Sequence, residues 1–205
     1  MCGIVGYVGD REAWPIILEG LQRLEYRGYD SAGIAIVDQS GQLQFRKTVG
    51  KVNGLTSSGQ EDVPQGCLGL GHTRWATHGK PTYANAHPHT DCHQRIAVVH
   101  NGIVENFLAL KQELLSNGHK FVSETDTEVI THLIEEGIDQ GNSFEDAFLR
   151  MGRIVEGSQT VTATFLGEAG KICALRLGHA GGIVVAHRDG QGIIGSDLPA
   201  MLPLL

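Results

Sequence analysis

Met1-Cys2-Gly3-Ile4-Val5-Gly6-Tyr7-Val8 opens the chain and is followed at once by Gly9-Asp10. An apolar run of this length ending in turn residues reads as a short buried strand, and from Ala13 to Arg23 and just beyond, Ile16, Ile17, Leu21 and Leu24 recur at the spacing of one helix face. Removal of Met1 would leave a thiol and a free α-amine on the same residue, Cys2. An α-amine titrates at about 7.7–8.0, so near neutral pH it can take the thiol proton and return it to a leaving amine. A nucleophile that carries its own base suits amide hydrolysis and needs no separate histidine. The rival reading of Cys2 is a small buried apolar residue at the start of a strand.

Further elements follow in order. Ala32 to Val37 and Gln42 to Val49 flank the turn cluster Asp38-Gln39-Ser40-Gly41 and predict a hairpin. Cys67 to His72 and Arg95 to His100 are strand candidates that run directly into unusual polar sequence, where scaffolded chemistry tends to sit. Asn106 to Asn117 has helical spacing with Gly118 as its C-cap, and Thr125-Asp126-Thr127-Glu128 matches a capping box opening a helix through Glu135. Ser143 to Val155 predicts a third helix in this region. Thr160 to Leu166, Ile172 to Leu177, Gly182 to His187 and Gly192 to Ser196 read as four short strands. Helices between two sets of strands predict an α+β fold of antiparallel sheets with helices packed outside.

With 205 residues, 41% of them hydrophobic and 19% charged, the chain is expected to form one self-sufficient domain over 1–205. Sixteen Lys and Arg against 23 Asp and Glu leave a formal charge of -7, and no basic run suits a phosphate backbone, so nucleic acid is not an expected partner. No apolar stretch approaches the roughly 18 residues of a membrane span, and the N-terminal segment lacks the basic flank of a signal peptide. Cys2, Cys67, Cys92 and Cys173 lie far apart without a CxxC, which predicts unpaired thiols and a cytoplasmic location.

Asn101-Gly102 offers a side-chain NH2 beside a backbone N–H unobstructed by a Cβ, the two donors an oxyanion needs; the same dipeptide is also a tight hairpin turn. Arg74 has the planar fork that grips a carboxylate, with Thr77 and His78 as further donors in its loop. Asp126 supplies the opposite charge, so that the pair would hold an amino-acid zwitterion, although an acid at the second position of a helix also favours the dipole. Trp75 is either a lid or a core anchor. The run His87-Pro88-His89-Thr90-Asp91-Cys92-His93 invites a metal reading through His87, His89, Cys92 and His93, but its spacing matches no structural zinc pattern, and a polar loop is preferred, with no metal. Phosphate-binding glycine motifs and a serine nucleophile elbow are absent from the sequence.

Five segments in order carry a resemblance: Cys2 to Gly6, Arg23 to Gly33 (Arg-Leu-Glu-Tyr-Arg-Gly-Tyr-Asp-Ser-Ala-Gly), Gly71 to Gly79 (Gly-His-Thr-Arg-Trp-Ala-Thr-His-Gly), His100 to Asn106 (His-Asn-Gly-Ile-Val-Glu-Asn) and Ser123 to Glu128 (Ser-Glu-Thr-Asp-Thr-Glu). Together they resemble the class II glutamine amidotransferases, which are N-terminal nucleophile (Ntn) hydrolases. The resemblance is closest to members that feed ammonia to a sugar-phosphate isomerase domain converting fructose 6-phosphate into glucosamine 6-phosphate. It implies a four-layer αββα sandwich, Cys2 as the mature N-terminal nucleophile, and Asn101 and Gly102 as the oxyanion hole. It further implies that Arg74, Thr77, His78, Gly102 and Asp126 bind L-glutamine, that Trp75 gates the site, that Arg27 positions the N-terminal strand, and that His87 belongs to the site's loop. No cofactor is implied, and the ammonia acceptor would be an isomerase domain or subunit. The alternative is a non-catalytic glutamine-sensing module. Similarity loosens after about Asp139. Gly178-His179-Ala180-Gly181-Gly182 departs from the family's pattern, so this part is expected to be scaffold, and the chain is expected to stop before the family's closing strands.

Overall fold

The computed structural model describes residues 2–56, 63–76, 79–168 and 170–204. Strand β1 (Gly3–Val8) is followed by helix α1 (Ala13–Arg23), the hairpin β2 (Ser31–Val37) and β3 (Leu43–Val49), then β4 (Leu68–Arg74), β5 (His89–Thr90) and β6 (Ile96–Gly102). Helices α2 (Phe107–Ser116), α3 (Glu128–Asp139) and α4 (Phe144–Ile154) precede the strands β7 (Gln159–Phe165), β8 (Cys173–Leu177), β9 (Val184–Arg188) and β10 (Gln191–Gly195). A 3-10 turn over Leu198–Leu204 ends the described chain.

Two sheets result, in the orders β3-β2-β4-β1-β10-β9 and β5-β6-β7-β8, and each pairing is antiparallel. They stack through Ile4, Ala35 and Leu70 from the first sheet against Ala97 and Val99 from the second. Because side chains alternate faces along a strand, the intervening residues point outward. Val5, Tyr7, Ile34 and Ile36 pack beneath α1 and the 3-10 turn, while Val98, Val161 and Ala163 pack beneath α3 and α4. The result is the expected αββα sandwich. Strands buried on both faces read as continuous apolar runs, which is why β1, β2 and β6 stand out in the sequence without alternation.

Close approach of α1 to β1 depends on Gly20, where an added Cβ would lie 3.0 Å from Val5 Cγ1. The helix bounds predicted for α1 are the observed ones. Ser143 caps α4 by accepting the Asp146 N–H at 3.1 Å, satisfying one of the free donors of the first turn.

The capping box at Thr125 to Glu128 is corrected. Helix α3 begins at Glu128, with Thr127 as an N-cap that makes no side-chain cap bond, and runs to Asp139 rather than Glu135. Thr125 Oγ1 instead meets Ser123 Oγ at 2.9 Å and His89 Nε2 at 3.0 Å. Glu128 does accept backbone N–H groups, but those of Val122 at 2.8 Å and Ser123 at 2.7 Å, earlier in the loop than a box allows. Asp126 therefore lies outside the helix. Among the described residues no helix is long and apolar enough to cross a membrane.

Phe144 is fully buried, with Phe165 and Phe148 at ring distances of 5.8 and 6.2 Å. Phe144→Ala should lose about 3–5 kcal/mol in urea-monitored unfolding, because the cavity opens between helix and sheet where neither can collapse freely.

Candidate active site

Cys2 stands at the mouth of β1, beside the ends of β4 and β6. The thiol Sγ accepts the Trp75 N–H at 3.2 Å and lies 3.6 Å from the Trp75 carbonyl oxygen. Two side chains hold the Cys2 carbonyl oxygen: Arg27 Nε donates at 3.1 Å and Asn101 Nδ2 at 3.2 Å. Arg27 also donates through Nη1 to Asp197 Oδ2 at 2.8 Å, tying the 3-10 turn before β2 to the segment after β10. A cavity of about 560 Å³ opens here, with Cys2, Trp75, Asn101 and Gly102 on one side and His179, Ala180 and Gly181 on another. The 178–182 segment, which the sequence reads as plain scaffold, contributes His179, Ala180 and Gly181 to the cavity wall.

Burial raises the Cys2 thiol above its ordinary value, against the pull of the Trp75 N–H and of the Arg74 and Arg27 charges. The thiol is therefore protonated at neutral pH, and chemistry at sulfur requires a proton acceptor close by.

Asn101-Gly102 is not a hairpin turn. Both residues lie within β6, paired with Thr160 and Gln159 of β7 rather than with the residues that follow them. Gly102 adopts φ +137, and a Cβ there would fall 2.3 Å from the Ser158 carbonyl oxygen, so only glycine fits this strand end.

Behind Asn101 lies a group that sequence reasoning did not single out. His72 Nε2 sits 3.0 Å from the His100 carbonyl oxygen and 3.1 Å from Asn101 Oδ1. Both neighbours are acceptors, which assigns the proton to Nε2. Complete burial drives His72 down to about 3, so the ring is neutral. With its oxygen held by His72, the Asn101 amide must turn its NH2 toward Cys2. A second chain backs β6: His100 Nε2 donates to Gln159 Oε1 at 2.5 Å, its Nδ1 accepts from Thr127 Oγ1 at 2.9 Å, and His87 Nε2 donates to that hydroxyl at 2.9 Å. His87 is thus buried behind the site, its ring 4.2 Å from that of His72. The sequence signals for His72 are its place at the polar end of an apolar strand and within the Gly71–Gly79 segment, neither of which gives it a role.

Arg74 is 4% exposed at the end of β4, with Nη2 donating to the Gly79 carbonyl at 3.2 Å and Nη1 to that of Lys80 at 3.4 Å. Asp126 is equally buried, and its Oδ2 accepts the Val104 N–H at 2.8 Å. Burial pulls the Arg74 guanidinium below its ordinary value, and Cys2, Asp126 and Asp30 pull it back up, so the two charges proposed to hold a zwitterion share one field. Thr77 and His78 lie outside the described residues. Trp75 is half exposed, its ring edge-on to Tyr29 at 5.8 Å, which removes the core-anchor reading. The run from His87 to His93 does not converge: His87 and His89 meet edge to face in the interior with rings 4.6 Å apart, while His93 is exposed.

A family model described as a glutamine amidotransferase domain matches residues 56–148. The glutamine–fructose-6-phosphate aminotransferase (isomerizing) of Pyrococcus horikoshii is 48% identical over 202 residues, covering 98% of this chain and 33% of that protein. Its counterpart in Thermus thermophilus is 49% identical over 203 residues, 99% of this chain and 33% of that one. The chain carries a glutamine amidotransferase domain and is similar to these enzymes over nearly its whole length. It spans about a third of the length of the curated relatives it matches. Among solved structures, the glutamine phosphoribosylpyrophosphate amidotransferase from B. subtilis superposes with a TM-score of 0.85 at 25% identity, over 99% of this chain and 43% of that one. In this amidotransferase domain the sandwich is the Ntn hydrolase layout, with β1 central in its sheet and Cys2 just before that strand.

Gly102→Ala should destabilise the domain by about 1–3 kcal/mol in urea unfolding, since the strand end must move or hold an L residue in a glycine conformation. An unchanged midpoint would show that β6 does not need its positive φ.

Proposed function

We propose that the chain hydrolyses the side-chain amide of L-glutamine to glutamate and ammonia, with Cys2 as nucleophile. One observation carries this reading: Cys2 Sγ lies in the cavity beside the Trp75 N–H, while the Asn101 amide, fixed by His72, lies 3.2 Å from the Cys2 carbonyl oxygen at the same mouth. Loss of Met1 frees the α-amine of Cys2 to take the thiol proton. Sulfur attacks the amide carbon, the carbonyl oxygen gains negative charge, and the Asn101 NH2 and Gly102 N–H stabilise it, each donor worth roughly 2.7–4 kcal/mol. The ammonium then returns the proton to the leaving nitrogen, ammonia departs, and a glutamyl thioester remains. Water activated by the same amine cleaves it, giving glutamate and restoring the thiol.

Arg74 takes the α-carboxylate of glutamine and Asp126 its α-ammonium, with Thr77 and His78 as further donors and Trp75 as the gate. Arg27 keeps the N-terminal strand in place. The ammonia goes on to a sugar-phosphate isomerase domain or subunit and serves glucosamine 6-phosphate synthesis from fructose 6-phosphate; the names of the relatives and their greater length support this acceptor. A cytoplasmic setting is supported by the four unpaired thiols, Cys2, Cys67, Cys92 and Cys173.

Met-processed Cys2→Ala should release no glutamate while calorimetry still shows glutamine binding; turnover equal to that of the parent would refute the nucleophile. Binding without hydrolysis by the unaltered, processed protein would instead establish the sensing module. The pH dependence has a definite sign. Because the neutral amine is the active base, kcat/KM should climb with pH up to about 8 as the ammonium deprotonates. A profile flat between about pH 6 and 8 would contradict the amine as base.

A further inference from the structure

Cys92, His119, His132 and Glu135 bring one donor atom each to a common point, all within 4.8 Å of one another. They come from three segments: the turn between β5 and β6, the loop between α2 and α3, and the buried side of α3. Cys92 Sγ is 3.8 Å from both His119 Nδ1 and His132 Nδ1, and Glu135 Oε2 is 2.8 Å from the first nitrogen and 2.9 Å from the second. We propose that this cluster is a structural zinc site, with Cys92 Sγ, His119 Nδ1, His132 Nδ1 and Glu135 Oε2 as its four ligands.

Three features go beyond a hydrogen-bonded cluster. Bond lengths of about 2.0–2.3 Å put tetrahedral ligand atoms about 3.3–3.6 Å apart, and the observed separations bracket that range. The outward nitrogens also face carboxylates: His119 Nε2 lies 3.5 Å from Glu136 Oε1, and His132 Nε2 lies 3.8 Å from Glu128 Oε1. His132 Nε2 is buried and makes no hydrogen bond. Each Nδ1 here faces the Glu135 carboxylate and donates to it; a zinc ion would take the place of those protons, and the carboxylates behind both rings would then favour the Nε2–H tautomer, the arrangement that orients histidine ligands. Finally, Glu135 is anchored through its other oxygen, which accepts the Cys92 N–H at 3.2 Å and lies 3.8 Å from Arg95 Nη2, so Oε2 stays aimed at the centre.

A sulfur, two imidazoles and one carboxylate suit a borderline-soft ion rather than magnesium or calcium. Binding releases the Cys92 thiol proton to solvent, and thiolate and carboxylate together neutralise Zn²⁺. Cys92 is exposed, which gives the ion a path from solvent. Four protein ligands close the shell, so the role is to tie the β5–β6 turn to α3. None of these residues belongs to the amidotransferase site, and the proposal stands apart from the reaction assigned to it.

Zinc alone, added to chelator-treated full chain, should bind at one equivalent and raise the melting temperature. Cobalt alone should give a thiolate-to-metal charge-transfer band in the near ultraviolet with tetrahedral visible bands. Cys92→Ser should abolish that band and weaken zinc at least about tenfold, and His119→Gln should weaken zinc similarly. Cys67→Ser, which alters an exposed thiol outside the cluster, should behave as the parent; circular dichroism checks that each variant is folded. Failure of the parent to retain an equivalent of zinc, or a Cys92→Ser variant that binds it as tightly, would overturn the site.

Discussion

The carbonyl oxygen of Cys2 accepts from Arg27 Nε on one side and Asn101 Nδ2 on the other, and through it the residue that leads into β1 is held from both sides. Arg27 belongs with the first sheet and the Asp197 segment, Asn101 with the second. Strand β1 is central, paired to β4 through Ile4↔His72 and to β10 through Val5↔Gly195, so its register cannot slip without moving every inner side chain to the outer face. The core of the sandwich thus determines where the thiol sits. The proposed nucleophile heads a strand that is interior to its sheet.

The polar interior behind β6 is the second requirement. His72, His87, His89 and His100 are all buried, and desolvation holds each below its ordinary pKa, so they act as neutral hydrogen-bonding groups. Each polar contact in such a setting is costly to leave unmade, by about 1–3 kcal/mol. The His72 contact to Asn101 is the one that reaches the site, because it decides which end of the amide faces Cys2. Orientation of the Asn101 amide, the proposed oxyanion donor, is therefore set by His72, which does not line the cavity.

Much of this was legible in the residues, and what was not has physical reasons. Strands buried on both faces announce themselves as apolar runs, and α1 shows its one apolar face, so β1, α1 and the β2–β3 hairpin were readable. The motif-bearing strand ends drew attention to Arg74, Asn101 and Gly102, which lie at the ends of β4 and β6. Thr125 to Glu128 misled because a glutamate that reaches back to backbone N–H groups does so from a loop as well as from a cap. Asn101-Gly102 misled in its turn reading because a positive-φ glycine also serves inside a strand where a neighbouring carbonyl leaves no room for a Cβ. His72 and the wall around Gly181 were invisible, since their importance comes from cross-sheet contacts. The convergence of Cys92 with His119, His132 and Glu135 was equally hidden: its members are 27 to 43 positions from the cysteine, and only the packing of α3 against the β5–β6 turn joins them.

The claim that a single thiol at the head of β1 does the chemistry is tested most directly by labelling the processed chain with an electrophilic glutamine analogue and mapping the adduct by mass spectrometry. Modification of Cys2 alone, on a residue with a free α-amine, and protection by glutamine are the expected results. Label on Cys67, Cys92 or Cys173 instead, or an unlabelled Cys2 in protein that turns over glutamine, would contradict it.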